Sequence, residues 1–533
     1  MYDMQLGNRL KQLHLSIAKA IEKLYADRLE GHYPDLVFHF EQAEAAEKTR
    51  EYLFKAAEFA LRNFQNQEAL NYYDKLLQLL QDDPVQKDYI RAALKKGGVL
   101  ELTGQWEKSE EIYREAVALA RKNGDQRLIG RSYNRTGQLL LLKGDYQAAR
   151  DYLEAARRHW EPLQDHEGLA ALYGSLGNLF FRQGRYPDAR KYFQQSIELH
   201  ESGLGRLPDS KIVANLGLTY MNQGQYEEGV YWLRSYLERC KEVNHQPGLA
   251  ELHTHMGIIL SEKGDYQQAL THYEQGLELA EELGDKQLTA IALGSMGTIY
   301  ERRGDYQKAR ELYERDLQLV EEMGDKQGKA IALGLIGELC CVEGDFERAI
   351  QYLEQQRDLC ERLQYQKGLS KALNALGDVC RHRQEYEASV RYYEQAIKVA
   401  RRINNKLILA SSLVEEGFTL LAMNRAAALP DMVEEALALA AELGNPDVLL
   451  EAQILQARVW VHQGNQEAAV DLLKQLLEKA HGMPEKAVLH FELSRLPASD
   501  PFHTTEATRL YTELYSRTPK FIYRQRLEWM KQV

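Results

Sequence analysis

The sequence predicts an all-α fold in which helical hairpins stack into a solenoid, and three observations support this prediction. Glycines recur at intervals of 40 residues through most of the 533-residue chain. Only 12 prolines interrupt a composition rich in the strong helix formers Ala, Leu, Glu, Gln, Lys and Arg. Signals that end one helix and begin the next alternate at fixed offsets from each glycine. A period of this length indicates one long repeat array rather than several globular domains.

The first mark of the repeat is a glycine inside a predicted helix. In chain order these glycines are Gly97, Gly137, Gly177, Gly217, Gly257, Gly297, Gly337, Gly377 and Gly417. In most units a second glycine follows seven residues later, and two residues further on comes an aromatic, as in Gly304 and Tyr306. The register runs without insertion or deletion from about residue 50 to 480, which predicts eleven units.

Residues 286–325 show why each unit should be a helical hairpin. Apolar residues at helical spacing predict a first helix around Gly297 and a second helix after Tyr306. A glycine inside a helix costs about 1 kcal/mol relative to alanine, so Gly297 predicts close approach of a neighbouring helix. Gly304 can end the first helix in the left-handed conformation, and Asp305 can cap the second. Aspartates in equivalent positions predict further caps at Asp125, Asp145, Asp265, Asp285 and Asp345.

This pattern resembles the tetratricopeptide repeat over about four fifths of the chain. The likeness is carried by Leu-Gly in the first helix, Gly-x-Tyr at the turn, and Ala and Tyr in the second helix. The 40-residue period exceeds the usual period of about 34 residues. It is similar to the repeats of G-protein-signalling modulators and of bacterial regulators, as in Leu283-Gly-Asp-Lys-Gln. The resemblance implies a right-handed superhelical solenoid of antiparallel helix pairs that binds a protein or peptide in its concave groove.

Both ends of the chain depart from the repeat register. The first segment has helical periodicity and is predicted to be a cap or connector. Beyond the last repeat, three prolines break the pattern, and we expect one or two shorter helices near 504–516 and 519–531. The predicted division is an N-terminal cap or connector (1–49), about eleven repeats (50–482) and C-terminal capping helices (483–533).

The ends also resemble parts of bacterial STAND-type regulators and ATPase-linked nucleotide cyclases. Leu24-Tyr-Ala-Asp-Arg-Leu-Glu and His39-Phe-Glu-Gln-Ala are similar to the connector that follows the ATPase module, and Leu510-Tyr-Thr-Glu-Leu-Tyr is similar to the end of those proteins. The resemblance implies that the chain is the ligand-sensing or autoinhibitory region of a larger signalling protein. The response-regulator aspartate phosphatases also place a helical module before such repeats, but residues 1–49 are short for that module.

Composition limits the partners of the chain. The net charge of −12 argues against nucleic acid, although Lys520–Arg526 is a local basic run. No apolar stretch approaches the roughly 18 residues of a membrane span, and the N-terminus does not resemble a signal peptide. Five cysteines without a disulfide pattern predict a reducing, cytoplasmic compartment. The sequence does not indicate an oligomeric state.

No motif for catalysis, cofactor binding or metal binding occurs in the sequence. It lacks GxxxxGK[ST], GxSxG, HExxH and paired CxxC motifs. Cys340, Cys360 and Cys380 are spaced by 20 residues, but the register places them at core positions of successive helices. His253 and His255 are two residues apart on one helix and so point to different faces. The sequence therefore predicts a non-catalytic protein that needs no cofactor or metal.

The candidate binding residues lie on one face of the first helices. Two stripes with helical spacing are Arg131, Asn134 and Gln138, and Lys371, Asn374, Asp378 and Arg381. Between them we expect Asn178, Arg182, Asn222, Glu301, Arg302 and Glu338, with apolar surface from Phe181, Ile258, Ile291 and Ile331. Amide and guanidinium groups can hydrogen-bond the main chain and carboxylates of an extended peptide. Gly294, Thr298 and Gly334 are expected to leave room for a ligand, which predicts a protein-interaction scaffold or adaptor.

Overall fold

A computed structural model describes residues 2–81, 87–425, 429–443, 445–496 and 500–532. These residues form α-helices joined by short turns, with one 3₁₀ and one π segment, and no strand occurs among them. In chain order the helices are α1 Tyr2–Leu24, α2 Tyr33–Gln42, α3 Ala46–Arg62, α4 Asn66–Leu79, α5 Lys87–Leu102, α6 Trp106–Asn123, α7 Gln126–Lys143, α8 Tyr146–Trp160, α9 His166–Arg182, α10 Tyr186–Glu198, α11 Ser210–Met221, α12 Tyr226–Glu242, α13 Gln246–Lys263, α14 Tyr266–Leu283, α15 Lys286–Arg303, α16 Tyr306–Met323, α17 Lys326–Glu343, α18 Phe346–Arg362, α19 Gln366–His382, α20 Tyr386–Arg402, α21 Lys406–Ala422, α22 Leu429–Leu443, α23 Pro446–His462, α24 Gln466–Lys479, α25 Met483–Ser494, α26 Pro501–Arg517 and α27 Phe521–Met530. The all-α fold predicted from the sequence is confirmed.

From α3 to α24 the helices alternate as the first and second helices of consecutive hairpins. The turn between α15 and α16 shows the predicted local chemistry. Gly304 adopts the left-handed conformation with φ of +83°, and the N–H of Asp305 donates to the Tyr300 carbonyl at 2.9 Å. The predicted aspartate caps are confirmed, because a side-chain oxygen accepts a backbone N–H at Asp125, Asp145, Asp265, Asp285 and Asp345.

The glycine inside the first helix makes room for a tyrosine of the second helix. A Cβ atom at Gly297 would lie 2.5 Å from Cε1 of Tyr313 in the same hairpin. The Tyr313 hydroxyl then reaches across the helix pair and donates to Oε2 of Glu301 at 2.9 Å. Gly377 and Tyr393 repeat this packing in the hairpin of α19 and α20. The close approach predicted from the sequence is confirmed, and it also orients acidic side chains of the first helices.

The chain divides into two compact units, Met1–Ser175 together with Glu321–Lys326, and Leu176–Val320 together with Gln327–Val533. In the first unit, Leu36 and Phe40 of α2 are buried, and the Phe40 ring stacks on Tyr52 of α3 at 5.4 Å. In the second unit, the C-terminal helices α25 to α27 pack around Phe491 and Tyr511. The role of the two chain ends as caps stays a prediction.

Candidate binding groove

Three first helices of the second unit, α17, α19 and α21, line a cavity of about 510 Å³. The lining includes five of the residues that the sequence predicted for a binding face: Glu338, Lys371, Asn374, Asp378 and Arg381. The helical register therefore brings these side chains together around one space. We call this space the groove cavity.

Asp378 and Arg381 are held by a network of charged and hydroxyl groups. The Tyr393 hydroxyl donates to Oδ1 of Asp378 at 2.6 Å. Nη2 of Arg381 lies 2.9 Å from Oε2 of Glu415 on the next first helix and 3.7 Å from Oδ1 of Asp378. Burial and then repulsion by Glu415 raise the pKa of the Asp378 carboxyl, while Arg381 partly offsets this rise. The network therefore places two acids around one guanidinium.

Three cationic side chains lie near one another: Lys367 and Lys371 in the first two turns of α19, and Arg182 at the end of α9. Lys371 is exposed, and Lys367, one helical turn earlier, is half-buried. Burial and then the positive charges of Lys371 and Arg182 lower the pKa of Lys367 to about 8. None of these three cations forms an ion pair with an acid in the described part of the chain. Lys367 was not among the predicted residues, although its four-residue spacing from Lys371 places both on one helix face.

Glu338 also lines the groove cavity without a hydrogen bond or ion pair to a described residue. It is open to solvent at the cavity wall. Partial desolvation by the surrounding walls raises the pKa of its carboxyl, and Lys371 opposes this shift. Glu338 and Lys371 are therefore opposite charges on neighbouring first helices that remain available to a ligand.

Several predicted residues are engaged in hydrogen bonds or ion pairs with neighbouring helices. Oδ1 of Asn374 accepts a hydrogen bond from the Ser412 hydroxyl at 2.8 Å. Oδ1 of Asn178 accepts a hydrogen bond from Nδ2 of Asn215 at 3.0 Å. Nη2 of Arg302 lies 3.0 Å from Oε1 of Glu262. These contacts join first helices of successive hairpins, so these three residues have structural roles whether or not they also bind a ligand.

Two further predicted residues have other surroundings. Asn222 is half-buried at the end of α11, where its Nδ2 donates to the Leu218 carbonyl at 2.8 Å. Desolvation raises the pKa of Glu301, and its carboxylate accepts a hydrogen bond from the Tyr313 hydroxyl.

In the first unit, the predicted stripe on α7 has mixed exposure. Arg131 is exposed, and Nε2 of Gln138 donates to the Ser175 hydroxyl at 2.9 Å. Asn134 is only 6% exposed, so its side chain lies in the interior rather than on an open surface. Spacing alone placed Asn134 beside Arg131, but the packing of adjacent helices covers it.

The expectation that Gly294 and Gly334 leave room for a ligand is wrong. A Cβ atom at Gly294 would lie 3.0 Å from Oδ2 of Asp316, and one at Gly334 would lie 2.5 Å from Nε2 of Gln356. Asp316 and Gln356 belong to the second helices of the same hairpins and are both buried. The space beside these glycines is thus filled by the protein itself.

The opposite side of the groove cavity is formed by the chain's own C-terminal segment. Lys520, Phe521 and Ile522, at the start of α27, all line the cavity. The Phe521 ring meets Phe346 and His382 edge-on, with centroid distances of 5.0 and 5.8 Å. This contact was not predicted from the sequence, where the basic run that begins at Lys520 was its only local signal.

The cysteines and histidines that were considered as metal ligands lie in separate environments. Cys340, Cys360 and Cys380 are buried in the core, as the register predicted. Burial raises the pKa of the Cys360 thiol to about 12, which keeps it protonated. His253 pairs with His272 through Nδ1 atoms 2.9 Å apart. Among the described residues, no group of three or more His, Cys, Asp or Glu is placed to hold a metal ion.

The described part of the chain also has no helix that is both long and apolar enough to cross a membrane. Its stacked hairpins instead define an α-helical repeat protein, a class that binds other proteins through the extended surfaces of successive helices.

Tetratricopeptide repeat models match this chain in overlapping segments. One model matches residues 88–161, 128–202, 210–282, 248–322, 288–362 and 328–402, and two others match 175–243 and 450–475. Because the matches cover more than half of the sequence, the chain belongs to the tetratricopeptide repeat family.

Similar solved structures are also helical repeat proteins. A Rap protein complexed with competence and sporulation factor is 18% identical, with a TM-score of 0.46 over 68% of this chain and 99% of that chain. The apo form of the quorum sensor NprR from B. thuringiensis is 20% identical, with a TM-score of 0.42 over 67% and 99%. The APC/C hetero-tetramer Cut9–Hcn1 is 14% identical, with a TM-score of 0.43 over 94% of each chain. No curated protein matched the sequence. The family assignment rests on the repeat models.

Proposed function

We propose that this chain is a non-catalytic scaffold or adaptor that binds a peptide or protein segment along its first-helix face. The observation that supports this proposal is the groove cavity, where predicted binding residues on two successive first helices, α17 and α19, line one space together with α21. The cavity has both apolar walls and charged side chains. Such a surface suits an extended peptide, whose side chains fill pockets while its polar groups are hydrogen-bonded.

Substitution of Lys371 tests this proposal most directly. It is exposed on the cavity wall and has no ion pair with a described residue. Lys371→Glu should therefore leave the fold intact while reversing a charge that a bound segment would meet. Affinity purification of the tagged full chain from its source cells, followed by quantitative mass spectrometry, should show at least one partner depleted by about tenfold or more.

Lys398→Glu is the matched control. Lys398 is an exposed lysine on the second helix α20 and also has no ion pair with a described residue. This variant should retain every partner at the wild-type level. If Lys371→Glu retains them as fully as Lys398→Glu does, the groove is not the binding surface.

A second candidate function is a ligand-sensing or autoinhibitory region of an ATPase or cyclase system. The observation that favours it is that Lys520 and Phe521 line the groove cavity opposite its first-helix walls, so the chain closes one side of its own candidate site. Addition of the purified chain to a captured partner should then change the partner's rate of nucleotide turnover. A simple adaptor would leave that rate unchanged.

A further inference from the structure

The C-terminal segment approaches the first-helix turns at backbone contact distance. At Gly304, which ends α15, a Cβ atom would lie 2.7 Å from the Arg517 carbonyl oxygen and 2.8 Å from Cα of Thr518. A side chain at position 304 would therefore collide with the linker between α26 and α27. Lys520 belongs to this linker. The Glu301 carboxylate of α15 attracts its ammonium group and so favours the charged form of Lys520.

Phe521 continues this contact onto the next two hairpins. A Cβ atom at Gly344, which ends α17, would lie 2.9 Å from Cδ2 of Phe521. The Phe521 ring also meets Phe346 and His382 edge-on, while those two rings stack on each other at 6.1 Å. The linker and the first residue of α27 thus touch three successive hairpins along the groove.

With every acidic and basic side chain counted as ionised, the formal charges around the groove cavity balance when Lys520 is included. The first-helix walls carry three carboxylates, Glu338, Asp378 and Glu415, and two cations, Lys371 and Arg381. These walls alone have one excess negative charge. Lys520 supplies the missing positive charge from the opposite side. Because unpaired charges in a confined space are costly, any segment that replaces this one should also bring a cation.

The segment is held by few buried side chains. In α27 only Met530 is buried among the described side chains, and the other apolar residues are at least partly exposed. Burial lowers the pKa of Lys520 below its ordinary value, and burial lowers the pKa of His382 to about 4. At neutral pH the burial of the charged Lys520 side chain therefore opposes docking of the segment, and below about pH 6.5 the burial of His382 does so as well. A cavity of about 510 Å³ also remains unfilled beside Phe521.

We propose that Thr518–Ile522 is an internal occupant of the binding groove, and that the partner displaces it with a segment in which a basic residue directly precedes an aromatic residue. This inference rests on the proposed function, because it assigns the partner chemistry and the regulation of the same groove. The partner's basic residue takes the place of Lys520 between Glu301 and the cavity carboxylates. Its aromatic residue takes the place of Phe521 against Phe346 and His382.

A peptide added in trans tests this proposal. The probe is a fluorescein-labelled nonapeptide with the sequence of residues 516–524, Ser-Arg-Thr-Pro-Lys-Phe-Ile-Tyr-Arg. Its binding to full-length protein is measured by fluorescence anisotropy. Lys520→Glu places an acid beside Glu301 and should release the internal segment, so the Kd of the probe should fall by about tenfold relative to wild type. Lys520→Arg keeps the charge and should bind the probe as wild type does.

Phe521→Ala should release the segment by a second route and lower the Kd of the probe similarly. Phe502→Ala is its matched control, since Phe502 is 56% exposed and does not line the groove cavity. A control probe with Glu and Ala in place of Lys and Phe should bind at least about tenfold more weakly to the Lys520→Glu protein. Hydrogen exchange should be faster in both released variants at the three hairpins that the segment touches, around residues 300–306, 342–346 and 380–384, while hairpins that it does not touch remain protected.

The inference is overturned if both variants bind the probe with the wild-type Kd, or if the two probes bind equally. Such a result leaves the proposed function standing whenever Lys371→Glu still loses partners. The converse outcome is that Lys371→Glu retains all partners while Lys520→Glu binds the probe more tightly than wild type does. That combination would reject the proposed function and still support a displaceable segment.

Discussion

Glu416 on α21 is a carboxyl buried in the repeat stack. It is 6% exposed, and it forms no hydrogen bond or ion pair with any residue that the structure describes. Burial and then repulsion by Glu394 raise the pKa of Glu416 from 4.5 to about 7. The folded chain therefore holds this proton more tightly than the unfolded chain does. The free energy of unfolding should fall as the pH rises from about 4.5 through about 7.

Glu416→Gln should remove this pH dependence, because the amide has nearly the same shape and no charge. We expect the variant to gain about 1–3 kcal/mol more stability over wild type at pH 8 than at pH 5. Urea unfolding followed by circular dichroism at both pH values measures this difference. The matched control is Glu434→Gln on the exposed side of α22, and an equal gain at both pH values for Glu416→Gln would contradict the assignment.

At the scale of an element, the packing of two helices within a hairpin depends on which glycine faces the partner helix. Gly97 and Gly98 are neighbours in α5, but their surroundings differ. A Cβ atom at Gly97 would lie 2.1 Å from Cε1 of Tyr113, whereas a Cβ atom at Gly98 would have nothing within 4 Å. The same residue type therefore has a packing role at one position and only a helix-propensity cost at the next.

These two positions provide a matched pair of alanine substitutions. Gly97→Ala should force Tyr113 out of place and lower the stability by about 1–3 kcal/mol. Gly98→Ala should raise it by about 0.5–1 kcal/mol, because alanine is the better helix former. Thermal unfolding of both variants gives the two signs, and equal effects would show that the register does not specify the helix contact.

At the scale of the whole molecule, the stability of a repeat array is expected to depend on contacts between neighbouring hairpins. A local defect should then loosen its neighbours and leave distant hairpins protected. The hairpin of α19 and α20 is suited to this test. A Cβ atom at Gly377 would lie 2.6 Å from Cε1 of Tyr393, and the Tyr393 hydroxyl also holds Asp378 at the groove.

Gly377→Ala should accelerate amide hydrogen exchange in α17 to α22 and leave α11 to α14 at the wild-type rate. Mass spectrometry of peptic fragments resolves these regions. Uniform acceleration along the whole chain would show that the array unfolds as one cooperative block. The same variant should also weaken partner capture, since it disturbs the orientation of Asp378.

The groove was predictable to the extent that it follows from helical register. Glu338 and Asp378 line the cavity because they occupy the same repeat position 40 residues apart, and Lys371 lies seven residues before Asp378 on the same face of α19. Asn134 occupies a similar position but is covered by neighbouring helices. Gly294 was misjudged because the buried carboxylate of Asp316 comes from another helix. Burial depends on contacts between helices, which spacing along one helix does not describe.

The sequence by itself determined the repeat, the helix ends and the family, because apolar periodicity, left-handed glycines and aspartate caps act over a few neighbouring residues. Only the tertiary structure decided what fills the spaces between helices. It placed Tyr313 beneath Gly297 and brought Phe521 against His382, two residues far apart in the chain. Such contacts depend on shape and charge after the hairpins have stacked, and no local signal in the sequence specifies them.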